Sequence, residues 1–297
     1  MADKYVMAKS QSGFEKLIES KGGLILGIFL VLFSIFLLWS NENRTNTADI
    51  ARTSVQIDAS SIGKSEGGNF VSLTGNINAA SYAQDPMYLL PGKFLKIERV
   101  PEMYVWQETK KSGSAETTYD YAKKWATEPQ NSMNFQFRVG HDNPFMQIRP
   151  QISIAASGKI GAYFINLSDL ALPPATDLKL TPNNVLIGGF QRLDGDFLYI
   201  GNGSNFNPQI GDTRIKFRVI DGTTADYTIF GQAEGDKIVP HMYLGKEKIY
   251  KLVKGTRDEA LAALSSEYSS SLWGIRIVGI LMLVLGGYVL IKKTKKS

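Results

Sequence analysis

Residue types that could do chemistry are scarce in this 297-residue chain, which contains two histidines and no cysteine. The lack of cysteine excludes disulfide scaffolds, zinc–thiolate sites, iron–sulfur clusters and cysteine nucleophiles. His141 stands in GHDNPF, which is typical of a turn, and His241 follows Pro240. Neither has a second histidine or a carboxylate at a metal-ligand spacing. Both are therefore expected to be structural, and no metal or other cofactor is predicted.

Three further patterns of reactive residue types have simple structural explanations. Gly63–Gly67 fits G-x-S-x-G, and Ser61 with Lys64 fits S-x-x-K, but polar loop residues flank both instead of the strand and helix of a nucleophile elbow. Asp194 and Asp196 lie in LDGDF, which predicts a hairpin turn with too few ligands for calcium. The third pattern forms either a binding face or a mixture of core and sheet surface: Tyr104, Trp106, Tyr119, Tyr121 and Trp125. No catalytic residue is predicted.

Two apolar stretches predict membrane-spanning helices. Residues 22–41 carry no charge, and at about 1.5 Å per residue they match the thickness of a bilayer core. The alternative, a cleaved signal peptide, is disfavoured because acidic residues precede the stretch and no small-x-small cleavage site follows it. Residues 272–291 are equally apolar apart from Arg276. Its side chain either extends back to the membrane interface or pairs with an acid on a partner helix.

The distribution of charge predicts the orientation. Residues 41–271 hold 24 basic and 25 acidic side chains, so nucleic-acid binding has no electrostatic basis there. Lysines cluster instead before the first span and after the second, which predicts that both termini are cytoplasmic. An aromatic belt and flanking cations are expected at the membrane interfaces, and their predicted members are Trp39, Trp273, Arg276, Lys292 and Lys293.

Small residues indicate where helices approach each other in the membrane. Gly23 and Gly27 form a G-x-x-x-G pattern in the first span, and Gly279 and Gly286 lie in the second. We expect these glycines to pack against helices, and self-association into a homo-oligomer is one candidate outcome.

Alternation of apolar and polar residues dominates the region between the spans. NFVSLTG, KFLKIERV, MYVWQET, SMNFQFRV, TRIKFRVI and DYTIFGQ are examples, and Gly-, Asn- or Pro-containing turns separate such runs. The fold class predicted is mainly β: an antiparallel barrel-like or sandwich-like extracytoplasmic domain flanked by two transmembrane α-helices. INLSDLALPP predicts a short helix, and a clear helix starts at Thr256. The predicted order is a cytoplasmic amphipathic segment (1–21), a first span (22–41), the β-rich domain (42–255), a helix leading into the membrane (256–271), a second span (272–291) and a basic tail (292–297).

Several segments occur in a characteristic order: SGFEKLIESKGG, DPMYLLPGKFLKIERVPEMYVWQET, GHDNPF, IGDTRIKFRVI and SSLWGIRIVG. In these the chain resembles the transmembrane protein 43 (LUMA) family over most of residues 12–288, and PEMYVWQET followed by GHDNPF is a specific part of the match. The resemblance implies a membrane protein with a large lumenal domain. Animal members are placed at the endoplasmic reticulum and inner nuclear membrane, where they organise complexes, and no catalytic residues follow from the family.

The chain ends six residues after its second span, whereas the animal members carry further spans. We therefore expect a short bacterial member in the inner membrane with a periplasmic domain, or a lumenal domain if the source is eukaryotic. The predicted function is a non-enzymatic scaffold that organises membrane-protein complexes through its β domain, with the lipid bilayer and other membrane proteins as partners. The alternative is a membrane-tethered enzyme or ligand-binding domain acting on envelope components. A deep pocket with converging polar groups would favour that alternative, and an exposed apolar patch would favour the scaffold.

Overall fold

A computed structural model describes residues 3–8, 21–62, 68–112, 116–223 and 225–294. The helices are α1 (Lys21–Glu42), α2 (Thr47–Arg52) and α3 (Arg257–Thr294). The strands are β1 (Asp3–Ala8), β2 (Val55–Gln56), β3 (Phe70–Gly75), β4 (Ile77–Ala79), β5 (Phe94–Ser112), β6 (Glu116–Ala126), β7 (Gln151–Ile154), β8 (Ser157–Ile160), β9 (Tyr163–Asn166), β10 (Thr176–Asp177), β11 (Gln191–Asp194), β12 (Phe197–Ile200), β13 (Thr213–Asp221), β14 (Tyr227–Glu234), β15 (Lys237–Val239), β16 (His241–Tyr243), β17 (Glu247–Ile249) and β18 (Lys251–Lys254).

Most strands belong to two eight-stranded sheets. The first has the order β1-β6-β5-β13-β12-β11, with β7 beside β5 and β10 beside β13. The second has the order β2-β3-β14-β15-β9-β8-β4, with β18 beside β14, and β16 pairs with β17 separately. Pairs with a described register are antiparallel apart from β2–β3 and β9–β15. The predicted class, a mainly β domain between two apolar helices, is confirmed.

The chain divides into two compact units. The first, here called the β domain, comprises Ala51–Thr109 and Tyr121–Leu261 with the first residues of the chain. The second, the helix unit, comprises Lys4–Ile50, Lys110–Asp120 and Ala262–Ser297.

Alternating side chains of the strands build the core of the β domain. In β5 the alternation runs without a break across Pro101, so KFLKIERV and MYVWQET form one strand of 19 residues. One core cluster combines Leu95 and Ile220 of the first sheet with Leu73 and Ile229 of the second. Burial of apolar side chains from both sheets in one cluster removes both inner faces from water.

Two local predictions are wrong. SMNFQFRV is not a strand, because Asn131 accepts a hydrogen bond from the Met133 amide at 3.0 Å and closes a 3-10 turn over Ser132–Asn134. INLSDLALPP is not a helix, because its first residues complete β9 and Asn166 Oδ1 then accepts the Ser168 amide at 3.0 Å. In both cases a side-chain amide takes over a backbone hydrogen bond, which favours a turn over regular structure.

The N-terminal segment contains a strand that the sequence did not indicate. Residues 3–8 form β1, which neighbours β6 in the first sheet, while the amphipathic stretch 12–20 lies outside the described residues. If β1 pairs with β6, the N-terminus lies on the same side of the membrane as β6, whereas the charge pattern predicts opposite sides. A topology assay distinguishes these two arrangements.

Candidate functional site

The two long helices meet through a bidentate ion pair. Arg276 Nε and Nη2 donate to the two carboxylate oxygens of Glu42, each at 2.7 Å. The Arg276 guanidinium also lies over the Trp273 ring, 4.9 Å from its centroid. Of the two alternatives for Arg276, the structure therefore shows pairing with an acid. That acid belongs to α1 of the same chain. Parallel N–H···O bonds of this kind fix orientation as well as position.

Three further hydrogen bonds join the same ends of the helices. The buried Asn41 side chain donates to the Leu272 carbonyl at 3.0 Å, and Arg44 Nη1 donates to Ser271 Oγ at 3.0 Å. The Tyr268 hydroxyl donates to the Arg44 carbonyl at 3.4 Å. We call this group the polar clamp; its side chains are Asn41, Glu42, Arg44, Tyr268, Ser271 and Arg276.

Three of the four predicted packing glycines lie in the contact between α1 and α3. A Cβ on Gly286 would lie 3.0 Å from the Gly27 carbonyl oxygen, and one on Gly27 would lie 2.8 Å from Leu290 Cδ2. Further along, a Cβ on Gly279 would lie 2.7 Å from Leu38 Cδ2. The order of these contacts makes the helices antiparallel. Because the glycines are occupied within one chain, a homo-oligomer would have to use a different face.

The other predicted membrane residues are distributed along the same helices. Gly23 is buried, whereas Trp39 and Trp273 are exposed. Lys292 is half-buried, and Lys293 lies within α3 with its side chain outside the described residues. The outward face of α1 is apolar and exposed at Ile25, Phe29, Leu32 and Phe36. Two helices of this length and composition are candidate membrane spans.

In the β domain, two segments far apart in sequence pack on each other. His141 of GHDNPF stacks on the Tyr121 ring at 4.0 Å and meets the Trp106 ring of PEMYVWQET edge-on at 4.7 Å. His141 is 2% exposed, and its Nδ1 donates to the Phe137 carbonyl at 2.9 Å. The histidine therefore holds the irregular segment 127–150 against β5 and β6.

Asn143 makes the second attachment of this segment. Its Oδ1 accepts the Trp106 amide at 2.7 Å, and its Nδ2 donates to the Trp106 carbonyl at 2.8 Å and to the Gln130 carbonyl at 3.1 Å. The side chain thus pairs with both backbone groups of one β5 residue, as a neighbouring strand would. Glu108 reinforces the attachment by accepting hydrogen bonds from the Tyr121 hydroxyl and from the Gln136 amide, the latter at 2.6 Å.

This braced segment forms the wall of an open groove of about 710 Å³. Residues between 129 and 150 line the groove, and some of its apolar side chains are exposed to solvent. Met133 is 71% exposed and Phe145 is 69% exposed. Exposed apolar side chains that line a concave surface mark binding sites more often than scattered ones do.

Comparison with known proteins decides the family. The family model described as transmembrane protein 43 matches residues 103–295, which include Trp106, His141 and the whole of the groove. The chain belongs to the transmembrane protein 43 family. The human and rat proteins named transmembrane protein 43 are 28% and 26% identical over 95% of this chain and 76% of their own length. A transmembrane protein 43 homolog of Drosophila melanogaster is 25% identical over 59% of this chain and 49% of its own. No solved structure matches the chain.

The other ionisable candidates of this family member make contacts within the β domain. His241 packs on Phe70 with ring centroids 4.5 Å apart, and burial lowers the pKa of its imidazole. Asp194 accepts the Asn205 amide at 2.7 Å and so ties the end of β11 to the loop between β12 and β13. In the described part of the chain, His, Asp and Glu side chains form no group of three that could hold a metal ion. Gly63–Gly67, with the G-x-S-x-G pattern, lies outside the described residues.

The buried Asp212 accepts hydrogen bonds from four groups of the β domain. It accepts the Tyr199 hydroxyl at 2.6 Å and the amides of Asn202, Gly203 and Gln209 at 2.7–3.1 Å. Burial, followed by these interactions with Asp212, raises the pKa of the Tyr199 hydroxyl well above its usual range. The carboxylate therefore closes the loop between β12 and β13.

The aromatic group divides between core and surface. Tyr119 and Tyr121 are buried, while Tyr104, Trp106 and Trp125 are half-buried. Sequence reasoning identified Trp106 and His141 but did not bring them together, and it missed the groove. The available signal was that the two motifs occur together in the family resemblance.

Proposed function

We propose that this protein is a non-enzymatic integral membrane scaffold whose β domain binds and organises other membrane proteins. The groove carries the proposal, because hydrogen bonds attach its wall to β5 while Met133 and Phe145 face solvent. A pre-formed apolar surface lowers the entropic cost of docking a protein segment. The carboxylates and histidines of the β domain described above are committed to turns and packing, which favours binding over catalysis.

The orientation that we propose puts both ends of the chain in the cytoplasm and the β domain on the other side, in the periplasm or a lumen. Two observations support it. The lysines cluster outside the spans at both ends. The antiparallel contact of Gly27 with Gly286 also brings the start of α1 and the end of α3 to the same end of the helix pair.

The orientation is tested by labelling single cysteines, since the chain has none of its own. With the protein expressed in the bacterial inner membrane, a membrane-impermeant maleimide should label Lys248→Cys in spheroplasts, and Ala2→Cys and Ser297→Cys only after permeabilisation. Labelling of Ala2→Cys together with Lys248→Cys would overturn the proposal for the N-terminus and agree with the β1–β6 pairing. Labelling of Ser297→Cys from outside would overturn it for the second span.

The scaffold itself is tested by photo-crosslinking in the native membrane. A benzoylphenylalanine at position 145 samples the groove, and the same group at Lys248, an exposed residue of β17, is the matched control. We expect position 145 to give a reproducible, near-stoichiometric adduct with one membrane protein, and position 248 not to. Adducts of position 145 with further copies of this chain alone, or none, would contradict a scaffold for other proteins.

Self-association can accompany this function. Because Gly27, Gly279 and Gly286 are occupied by intrachain contacts, a homo-oligomer would use the outward apolar face around Phe29 and Leu32. Leu32→Ser should then reduce crosslinking between copies, whereas an unchanged yield would rule that face out.

A further inference from the structure

The polar side chains that line the groove are, with one exception, already engaged within the β domain. Gln130 Oε1 accepts the Glu108 amide at 2.8 Å, and Asn131 caps the 3-10 turn. Ser132 Oγ accepts the Asn143 amide at 3.0 Å, while the Asn143 side chain binds Trp106 as described. These groups shape the groove, and each already uses part of its hydrogen-bonding capacity within the β domain.

The surface that remains for a ligand is apolar and longer than one side chain. Its members in the groove are Met133, Pro144, Phe145, Met146, Ile148 and Pro150. The chain enters β7 directly after Pro150, and two apolar side chains of that strand are also exposed: Ile152 is 63% and Ile154 is 42% exposed. Among the described strands β7 pairs with β5 alone, so its other backbone edge is free of strand pairing. An unpaired strand edge beside apolar side chains suits an extended peptide segment.

The groove carries one cationic side chain that forms no ion pair with a described carboxylate, Arg149. Arg138 Nε is 2.8 Å from Asp142 Oδ1, so that pair is neutral overall. Arg149 is exposed and its guanidinium lies over the Phe145 ring at 5.7 Å, and no described carboxylate forms an ion pair with it. Its backbone is held in place by Arg99 Nε, which donates to the Arg149 carbonyl at 3.1 Å. The cation therefore stands next to the exposed aromatic ring.

We propose that this groove binds an extended segment of the partner protein in which apolar side chains are flanked by a carboxylate. The apolar side chains would cover Phe145 and Met133, and the carboxylate would pair with Arg149. The inference rests on the proposed scaffold function and adds the chemistry of the segment that the scaffold recognises. Shape and apolar area provide affinity, and the charge at Arg149 selects acidic over basic segments.

Binding is measured with the full chain in phosphatidylcholine nanodiscs by fluorescence anisotropy. The probe is a fluorescein-labelled nonapeptide with a Val-Phe-Val-Leu-Val core and two glutamates at each end, and the comparison peptide has lysine in place of glutamate. We expect the acidic peptide to bind with a Kd below about 100 µM and the basic peptide at least about fivefold more weakly. The preference should shrink as salt is raised, because the pair is exposed.

Three variants test the assignment of the charge. Arg149→Glu should raise the Kd of the acidic peptide about five- to tenfold and lower the Kd of the basic peptide. Lys248→Glu makes the same change of charge away from the groove and should leave both affinities unaltered. Asp142→Asn removes the ion-pair partner of Arg138 and should lower the Kd of the acidic peptide about twofold. Equal effects of Arg149→Glu and Lys248→Glu would mean that overall charge, not the groove, sets the preference, and would overturn the inference.

The inference and the scaffold function fail separately. A position-145 crosslink to a membrane protein together with no peptide preference would leave the scaffold standing and remove the acidic, extended ligand. If the crosslink is absent while the acidic peptide still binds, the proposal that the protein is a scaffold for other membrane proteins fails. Binding of phosphatidylglycerol vesicles that depends on Arg149 while both peptides fail would assign the groove to lipid and overturn the inference.

Discussion

The contact of Gly286 with α1 leads to the sharpest prediction. An added Cβ at this position would lie 3.0 Å from three atoms of α1: the Gly27 carbonyl oxygen, Leu30 Cβ and Val31 Cγ2. One of these atoms is backbone and another is a Cβ, so neither can move aside by a change of rotamer. Gly286→Leu therefore has to separate the helices. Interaxial distances range from about 8 to 10 Å according to the side chains at the contact, so the expected separation is about 2 Å.

Overpacking of this kind costs about 2 kcal/mol, which is roughly a 30-fold shift against the closed helix pair. The assay is a distance measurement by double electron–electron resonance in nanodiscs. Spin labels are attached to Leu24→Cys and Ile291→Cys, which are both exposed and lie near the contact. The parent protein should give one narrow distribution, and Gly286→Leu should give a longer or broader one.

The neighbouring glycine provides the control. A Cβ on Gly287 meets no atom within 4 Å, so Gly287→Leu adds the same apolar volume on an open side of α3. Its distance distribution should match that of the parent protein. If Gly286→Leu also matches the parent, or if both variants change the distance equally, the close α1–α3 contact is refuted.

Three further predictions concern the polar clamp and the β domain. Reversing either charge of the clamp, by Arg276→Glu or Glu42→Arg, should broaden distances measured at that end of the helices, and the double reversal should restore them; additive damage would contradict the ion pair. Asn143→Ala leaves backbone groups of β5 without partners and should lower the free energy of unfolding of the full chain by about 1–3 kcal/mol, so an unchanged denaturation midpoint would argue against the brace. Burial raises the pKa of Tyr227 to about 12 from 10, and its hydroxyl donates to the Asp221 carbonyl at 2.6 Å. Stability from the protonated tyrosine is therefore complete below pH 10 and is lost as the pH rises through about 12, and Tyr227→Phe should flatten that decline in alkaline unfolding curves.

Local patterns were sufficient for the membrane helices and for most of the strands. An uncharged stretch as long as residues 22–41 can satisfy its backbone in lipid only as a helix, so length and composition predict the element. Likewise, β13 alternates between core and surface at every residue from Thr213 to Val219, and its sequence alternates in the same way. Where a side chain took over backbone hydrogen bonds, as Asn131 did, the same alternation predicted a strand that does not form.

The sequence by itself determined that this is a β-rich protein with two apolar helices, that cysteine chemistry is excluded, and that it resembles the transmembrane protein 43 family. The tertiary structure alone decided which acid pairs with Arg276, because Glu42 lies 234 residues away in the chain. It also decided that His141 and Asn143 close on Trp106, and so that an irregular segment becomes the wall of a groove. Periodicity reports which face of an element is apolar, because it depends on near neighbours in sequence. It carries no information on which distant residue that face will meet, and both candidate sites of this protein consist of such meetings.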